Sequence, residues 1–150
     1  MAKEFEDYLS ELQTDMVAIS LEYVEDRADD IFIYCSYEPE AYYLDVFFRL
    51  QGKLVLKHQL NDVPGDFTYD TSTERQLALL RIGVQNLEEI HKKCKEYGRD
   101  MPTEIKLHYN VKQNSLKANY KYDLVYSNDD ELLPDDIFDN WFEEVKENNE

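Results

Sequence analysis

The chain has 150 residues, 43% of them apolar and 13% aromatic, so it is long enough to bury the core of one folded domain. Its net charge of −17 repels nucleic acid and anionic membranes and favours association with cationic partners. We find no apolar run long enough to span a membrane and no signal peptide at the start. These features predict a cytoplasmic protein that binds neither nucleic acid nor membrane directly.

The first half of the sequence predicts one helix followed by three strands. Apolar residues recur at helical spacing over Lys3–Asp26, with acidic residues between them. The run Ile31–Tyr37 is β-branched and aromatic and is apolar on both faces, which is typical of an interior strand. A turn at Glu38–Ala41 leads to a second strand at Tyr42–Leu50, and a Gly-containing hairpin turn leads to a third at Leu54–Leu60. The short turns predict an antiparallel meander.

The second half predicts a helix, a hairpin and a last helix. Thr71 and Glu74 match a capping box that opens a helix ending near Tyr97. Its inward-facing residues are predicted to be Leu77, Leu80, Val84, Leu87, His91 and Cys94. Apolar and polar residues then alternate in Glu104–Val111 and Leu116–Tyr126, which predicts two strands with one buried and one solvent-exposed face. We therefore expect residues 1–150 to form a single α+β domain of order αβββαββα, an antiparallel sheet with its helices packed on one face.

The segment Ser127–Glu150 combines strong acidity with aromatic residues. It holds ten acidic side chains against one base, Lys146, and it contains the only tryptophan of the chain. Five large side chains recur at steps of three and four residues, which predicts a helix docked by an apolar stripe: Ile137, Phe138, Trp141, Phe142 and Val145. Its acidic side chains form either a solvated outer face or a surface shaped for a basic partner.

Residues that could carry catalysis are sparse. His58, His91 and His108 lie on three separate predicted elements, so each is interpreted as a surface or structural histidine. We find no catalytic or phosphate-binding motif and no spacing typical of metal ligands, and we predict no enzyme activity, no metal and no cofactor. Cys35 and Cys94 are predicted to be buried free thiols.

The uneven distribution of charge indicates where a partner could bind. Acidic residues concentrate in 1–50 and 127–150, so the first and last helices are expected to contribute to one acidic surface. Basic residues concentrate in Lys92–Arg99 and in the outward rows of the last two strands, Lys106, Lys112, Lys117 and Lys121. The lysines either protect the strands from aggregation or form a binding patch. The predicted partner-binding residues are Asp129, Asp130, Glu131, Asp135, Asp136 and Asp139, with Tyr43 and Tyr69 as exposed tyrosines near turns. The exposed strand edges are also compatible with a homodimer.

The order αβββαββα and the ending YSNDDELLPDDIFDNWFEEV resemble the YezG-like family of bacterial immunity proteins. The resemblance covers most of the chain, including IFIYCSYE, YYLDVFFRL and the strand ANYKYDLVYSNDDE. The family is associated with a proline and a tryptophan before the first strand, where this chain has Arg27-Ala28-Asp29-Asp30. The resemblance implies a cytoplasmic antitoxin that neutralises a cognate secreted toxin, often a nuclease, by binding it.

Two other functions are compatible with the same sequence. An acidic surface also suits a nucleic-acid mimic that inhibits a defence nuclease. A small-ligand-binding domain would use the loop Asn61–Asp70 and neighbouring tyrosines, and a pocket of convergent carboxylates with a histidine would support it.

Overall fold

The computed structural model describes residues 4–38 and 40–149, so the predicted helix start at Lys3, Pro39 of the first turn and Glu150 lie outside the described residues. The α+β class and the predicted order αβββαββα are confirmed. The elements in chain order are α1 (Phe5–Tyr23), β1 (Asp30–Tyr37), β2 (Tyr42–Leu50), β3 (Lys53–Leu56), α2 (Thr73–Glu96), β4 (Glu104–Asn110), β5 (Ser115–Lys121) and α3 (Pro134–Asn149). A 3-10 helix, Lys57–Asp62, follows β3.

The strands form one sheet of order β3-β2-β1-β4-β5. Every neighbouring pair is antiparallel, and β1 lies at the centre between β2 and β4. The β-branched and aromatic composition of β1 suits this central position, because a strand covered on both sides buries both of its faces. The two edges of the sheet are β3 and β5.

Helices α1 and α2 cover one face of the sheet and enclose the larger core. Ile31, Ile33 and Cys35 of β1 lie in this core with apolar residues of both helices. Gly83 lets α2 approach the sheet closely, since a Cβ at this position would lie 2.8 Å from a methyl carbon of Leu44 in β2. Both predicted free thiols, of Cys35 and Cys94, are confirmed as buried.

Helix α3 packs on the opposite face, so the prediction that all helices share one face is wrong. Alternation along β1 directs Phe32 and Tyr34 away from α1 and α2. These side chains and Phe47 of β2 pack against α3. The two acidic helices α1 and α3 therefore lie on opposite sides of the sheet and do not form one acidic surface.

Several element ends differ from the predictions for local reasons. Ser72, not Thr71, caps α2, and its Oγ accepts a hydrogen bond from the backbone N–H of Arg75 at 3.3 Å. The third strand stops at Leu56, whose N–H donates to the side chain of Gln59 in the 3-10 helix. The buried stripe of α2 is also rotated from the predicted one: Leu77 is exposed, and the buried positions are Leu79, Gly83, Leu87, Ile90 and Cys94.

Candidate functional site

Helix α3 is held on the sheet by an aromatic cluster, which we define as Phe32, Tyr34, Phe47, Phe138, Trp141 and Phe142. Phe47 is fully buried, and its ring centre lies 5.0 Å from that of Trp141 and 5.2 Å from that of Phe142, edge to face in both cases. Phe32 stacks on Phe47 at 4.6 Å. Edge-to-face and offset aromatic pairs stabilise beyond the area they bury, so this cluster fixes the orientation of α3. The predicted apolar stripe of the last helix is confirmed.

One flank of α3 carries three exposed carboxylates at four-residue spacing, Asp135, Asp139 and Glu143, which we call the acidic row. Asp139 and Glu143 border an open groove between α3 and β3, which Lys53 and Lys146 also line. Residues four apart are neighbours on a helix surface, so the row places like charges side by side. Partial burial raises the pKa of Asp139, and Asp135, Asp136, Asp45 and Glu143 raise it further by repulsion. The ionised form of Asp139 is therefore disfavoured in this row, and a cation beside it would favour that form.

Tyr43 of β2 lies beside the start of the acidic row. Burial raises the pKa of its hydroxyl above the ordinary value, and the carboxylates of Asp45, Asp135 and Asp139 raise it further. Its ring packs against Tyr34 of the aromatic cluster at 6.1 Å. The structure thus brings three predicted site residues together, Tyr43, Asp135 and Asp139. Tyr43 was predicted to be exposed, but it is half-buried.

The other predicted acidic residues shape the loop that leads into α3. Oδ1 of Asp129 accepts a hydrogen bond from the backbone N–H of Glu131 at 2.8 Å. Oδ2 of Asp136, the third residue of α3, accepts a hydrogen bond from the backbone N–H of Leu133 at 2.9 Å, as in one half of a capping box. Asp129, Asp130 and Glu131 are exposed, whereas Asp136 is half-buried. Asp129 and Asp136 therefore have structural tasks in addition to their charge.

Tyr69 lies apart from the acidic row. It packs against the core under α1 and α2 and is half-buried, so its predicted exposure is wrong. Asn61 holds its backbone with two hydrogen bonds of 2.7 and 3.0 Å, and its ring meets Phe67 edge to face at 4.8 Å. This loop borders an open depression of about 480 Å³, whose described lining has one carboxylate, Asp66, and no histidine. It lacks the convergence that a small-ligand site was expected to show.

A buried carboxylate that the sequence did not identify anchors the segment between β5 and α3. Glu38 is 3% exposed and follows β1 directly. Its carboxylate accepts hydrogen bonds from the backbone N–H groups of Val125, Tyr126 and Ser127 and from the Ser127 hydroxyl, at 2.6 to 3.2 Å. The Tyr126 hydroxyl donates to the Glu38 carbonyl at 2.7 Å. Burial alone would raise the pKa of Glu38, but these hydrogen bonds outweigh burial and lower it.

The three histidines lie at three different places. Nε2 of His108 is 2.8 Å from Oδ1 of Asp30, whose other oxygen accepts a hydrogen bond from Arg49 at 2.7 Å. Nδ1 of His91 is 2.8 Å from the Tyr42 hydroxyl, and burial followed by Lys95 lowers the pKa of His91. His58 is exposed. Over residues 4–38 and 40–149, no group of three or more His, Cys, Asp or Glu side chains is arranged to hold a metal ion.

Within the described residues, none of the helices is long and apolar enough to cross a membrane. Comparison of the sequence with models of known protein families gives no match. Comparison with curated proteins gives no significant match either. The fold and the site thus define an α+β domain with an acidic helix that buried aromatic side chains hold on the sheet.

Proposed function

We propose that this protein is an immunity protein, a stoichiometric inhibitor that binds a cognate secreted toxin domain through the acidic row of α3. The observation that carries the proposal is the row itself: Asp135, Asp139 and Glu143 repel one another on a helix fixed by buried aromatic side chains. A protein gains nothing in stability from such a row, since like charges at four-residue spacing destabilise a helix. A basic partner would convert this repulsion into attraction.

A nuclease is the toxin class that best complements the row. An enzyme that cleaves nucleic acid is cationic where phosphates bind, and a rigid anionic helix can occupy that groove. Charge complementarity of this kind raises the rate of association and suppresses wrong partners. The half-buried Tyr43 at the start of the row would add apolar contact area with a polar tip.

The exposed acidic residues of the preceding loop would extend this binding surface. Asp129, Asp130 and Glu131 lie directly before α3 in the chain. The bonds from Glu131 to Asp129 and from Leu133 to Asp136 order this approach, so less conformational entropy is lost on binding. Localisation in the cytoplasm, where such an inhibitor would protect the producing cell, is part of the proposal.

The experiment is a comparison of two variants with equal net charge. One variant neutralises the acidic row by Asp135→Asn, Asp139→Asn and Glu143→Gln. The control neutralises three exposed acids on α1 and α2 by Asp15→Asn, Glu22→Gln and Glu89→Gln. Association with a candidate toxin domain, sought among the products of the neighbouring genes, is measured by stopped-flow fluorescence at several salt concentrations.

We expect the row variant to associate on the order of tenfold more slowly at low salt and to lose most of its salt dependence. The control should associate within about twofold of the unmodified protein. Equal effects of the two variants would mean that overall charge, and not the row, drives association. A complex with a host defence nuclease in place of the neighbouring toxin would favour the nucleic-acid-mimic alternative.

A further inference from the structure

Strand β5 (Ser115–Lys121) is the longer of the two sheet edges and has an open outer side. It pairs only with β4. Its one further backbone–backbone bond among the described residues is from the N–H of Thr103, which precedes β4, to the carbonyl of Lys121. The outward N–H and C=O groups of the strand are therefore available to another chain, as at edges that accept an added strand.

The α1 side of this edge is apolar and indented at two places. One depression, of about 250 Å³, lies between α1 and the β4–β5 hairpin, and its lining includes Val17, Leu21 and Leu116. The other, of about 340 Å³, lies where α1, α2 and β5 meet. Its lining is mostly apolar and includes Tyr120 and Tyr122, with the charged side chains of Glu6, Arg99 and Asp100 at its border. Leu116 and Tyr120 are four residues apart, which separates the depressions by roughly 13 Å along the strand.

Apolar side chains are incompletely covered along this side. Leu116 is 37% exposed and Tyr122 is 58% exposed, although both are large. Ala118 lies between Leu116 and Tyr120 on the same side of β5, so the floor between the depressions is shallow. A strand added beside β5 could place one large apolar side chain in each depression and a smaller one between them.

The opposite side of the same edge is cationic. The exposed Lys117 and Lys121 alternate with the apolar positions of β5, and Lys106 of β4 lies in the neighbouring row. The one acidic residue of β4 and β5 is Glu104, which is 2% exposed. It is 3.7 Å from Lys121 and 3.9 Å from Lys106, so it is neutralised and withdrawn from the surface. The accessible charge on the lysine side of β4 and β5 is therefore positive, on a chain whose net charge is −17.

We infer that β5 accepts an antiparallel strand from a different polypeptide, with large apolar residues four positions apart and acidic residues alternating with the apolar ones. The apolar residues would enter the two depressions, and the acidic residues would lie beside Lys117 and Lys121, where opposite charges on neighbouring strands stabilise pairing. A second copy of this chain pairing through its own β5 would bring lysines together, which opposes pairing. The proposed strand would pair along the β5 edge, whereas α3 packs on the β1–β2–β3 half of the sheet. The inference therefore does not depend on the proposed function.

The test uses a fluorescein-labelled peptide of sequence ELEVELE, which matches the length of β5 and alternates acidic with apolar residues. Two forms of the peptide carry N-methyl groups, one on the amides of the odd positions and one on the even. Only one set of amides can face β5 in an antiparallel arrangement with the apolar side chains toward α1. Binding is measured by fluorescence anisotropy against the unmodified protein, and its mass in solution is measured in parallel.

We expect the unmethylated peptide to bind and one N-methylated form to bind at least tenfold more weakly, with the other form unaffected. Equal behaviour of the two N-methylated forms would overturn the inference. So would a failure of ELEVELE to bind, or binding of ELEVELE that is no tighter than binding of its lysine counterpart KLKVKLK. A dimer of the free protein that excludes the peptide would also overturn it, because a second copy would then occupy the edge.

A charge exchange supplies the matched variants. The double variant Lys117→Glu with Lys121→Glu should weaken the binding of ELEVELE and strengthen the binding of KLKVKLK, each on the order of tenfold. The control variant, Arg81→Glu with Lys92→Glu, has the same net charge, but its substitutions lie on the exposed side of α2. It should change the affinity for each peptide only slightly, and by about the same factor. If both double variants shift the affinities alike, the lysines of β5 do not select the partner.

Discussion

The two faces of the sheet differ in the elements that cover them and in the charge that they expose. On one face, α1 and α2 enclose a continuous apolar core whose strand residues, such as Ile31, Ile33 and Phe48, are at most 1% exposed. On the other face, α3 contacts a smaller aromatic cluster on the β1–β2–β3 half, while the strands β4 and β5 present polar and charged side chains. The first arrangement maximises buried area, and the second exposes charge on both the helix and the strands.

The buried face accounts for the stability of the fold, whereas the charged features are those to which we assign binding. Burial of apolar area is the main favourable contribution to folding, and it is concentrated under α1 and α2. The acidic row and the lysines of β5 lower stability or leave it nearly unchanged, because like charges repel and exposed ion pairs contribute little. Features that do not stabilise a fold are where binding is best sought, and both proposals concern them.

The largest expected effects come from two neighbouring phenylalanines that point to opposite faces. Phe47 and Phe48 are adjacent in β2 and both are fully buried. Replacement of either by alanine should cost about 3–5 kcal/mol of the free energy of unfolding, and Phe48→Ala should cost more because it opens the larger core. Urea unfolding is followed by far-UV circular dichroism and by the fluorescence of Trp141, the only tryptophan.

The two probes distinguish the faces. Phe47→Ala should make the Trp141 transition precede the loss of secondary structure, since Trp141 packs directly on Phe47. Phe48→Ala should leave the two transitions coincident. Coincident transitions in both variants would show that α3 does not loosen independently, and the division between the faces would be wrong.

A smaller effect is expected at the anchor of the β5–α3 connection. Glu38→Gln removes a charged acceptor of four hydrogen-bonding groups and should cost about 1.5–3 kcal/mol. Folding lowers the pKa of Glu38, so its stabilisation is complete above the unfolded pKa of about 4.3 and is lost as pH falls through the lower folded pKa. Unfolding curves below pH 5 should therefore fall more steeply for the unmodified protein than for the variant. Parallel curves would assign the pH dependence to other carboxylates.

The smallest effect concerns the acidic row and has the opposite sign. Folding raises the pKa of Asp139, so its ionised form destabilises the fold at neutral pH, and protonation near or below its pKa relieves this. The row variant Asp135→Asn, Asp139→Asn and Glu143→Gln should therefore be more stable at pH 7, by about 0.2–0.5 kcal/mol for each like-charge pair removed. Thermal unfolding at low and high salt measures this difference in stability. The difference should be smaller at high salt, because salt screens the repulsion between the carboxylates. A loss of stability would mean that these carboxylates support the fold.

The sequence predicts the elements well where a single periodicity dominates. The alternation in β2 and β4 and the three- and four-residue spacing of Phe138, Trp141 and Phe142 depend only on local pattern. Because β1 is apolar on both faces, its sequence also indicated that other elements cover both faces of the sheet. The one-face prediction missed it because the outward side of β2 mixes Phe47 with charged Asp45 and Arg49.

The site depends on contacts that no local pattern encodes. Glu38 meets partners that are 87 to 89 positions away in the chain. Asp30 meets His108 and Arg49 only because β4 and β2 flank β1 in a particular register. The proximity of Tyr43 to Asp135 and Asp139 likewise requires α3 to cross the sheet on the face opposite α1. The sequence correctly predicted that the acidic segment contains a helix, but the surroundings of that helix follow from the tertiary structure.

The most direct test of the proposed function is a carboxylate footprint of this protein, free and mixed with the proposed toxin partner. Carbodiimide labelling followed by mass spectrometry reports the accessibility of each Asp and Glu in the free and bound protein. We predict that binding protects Asp135, Asp139 and Glu143 while Asp15 and Glu89, on the side of α1 and α2, are labelled as before. Protection of the α1 and α2 carboxylates with an unchanged acidic row would contradict the assignment of recognition to the α3 face.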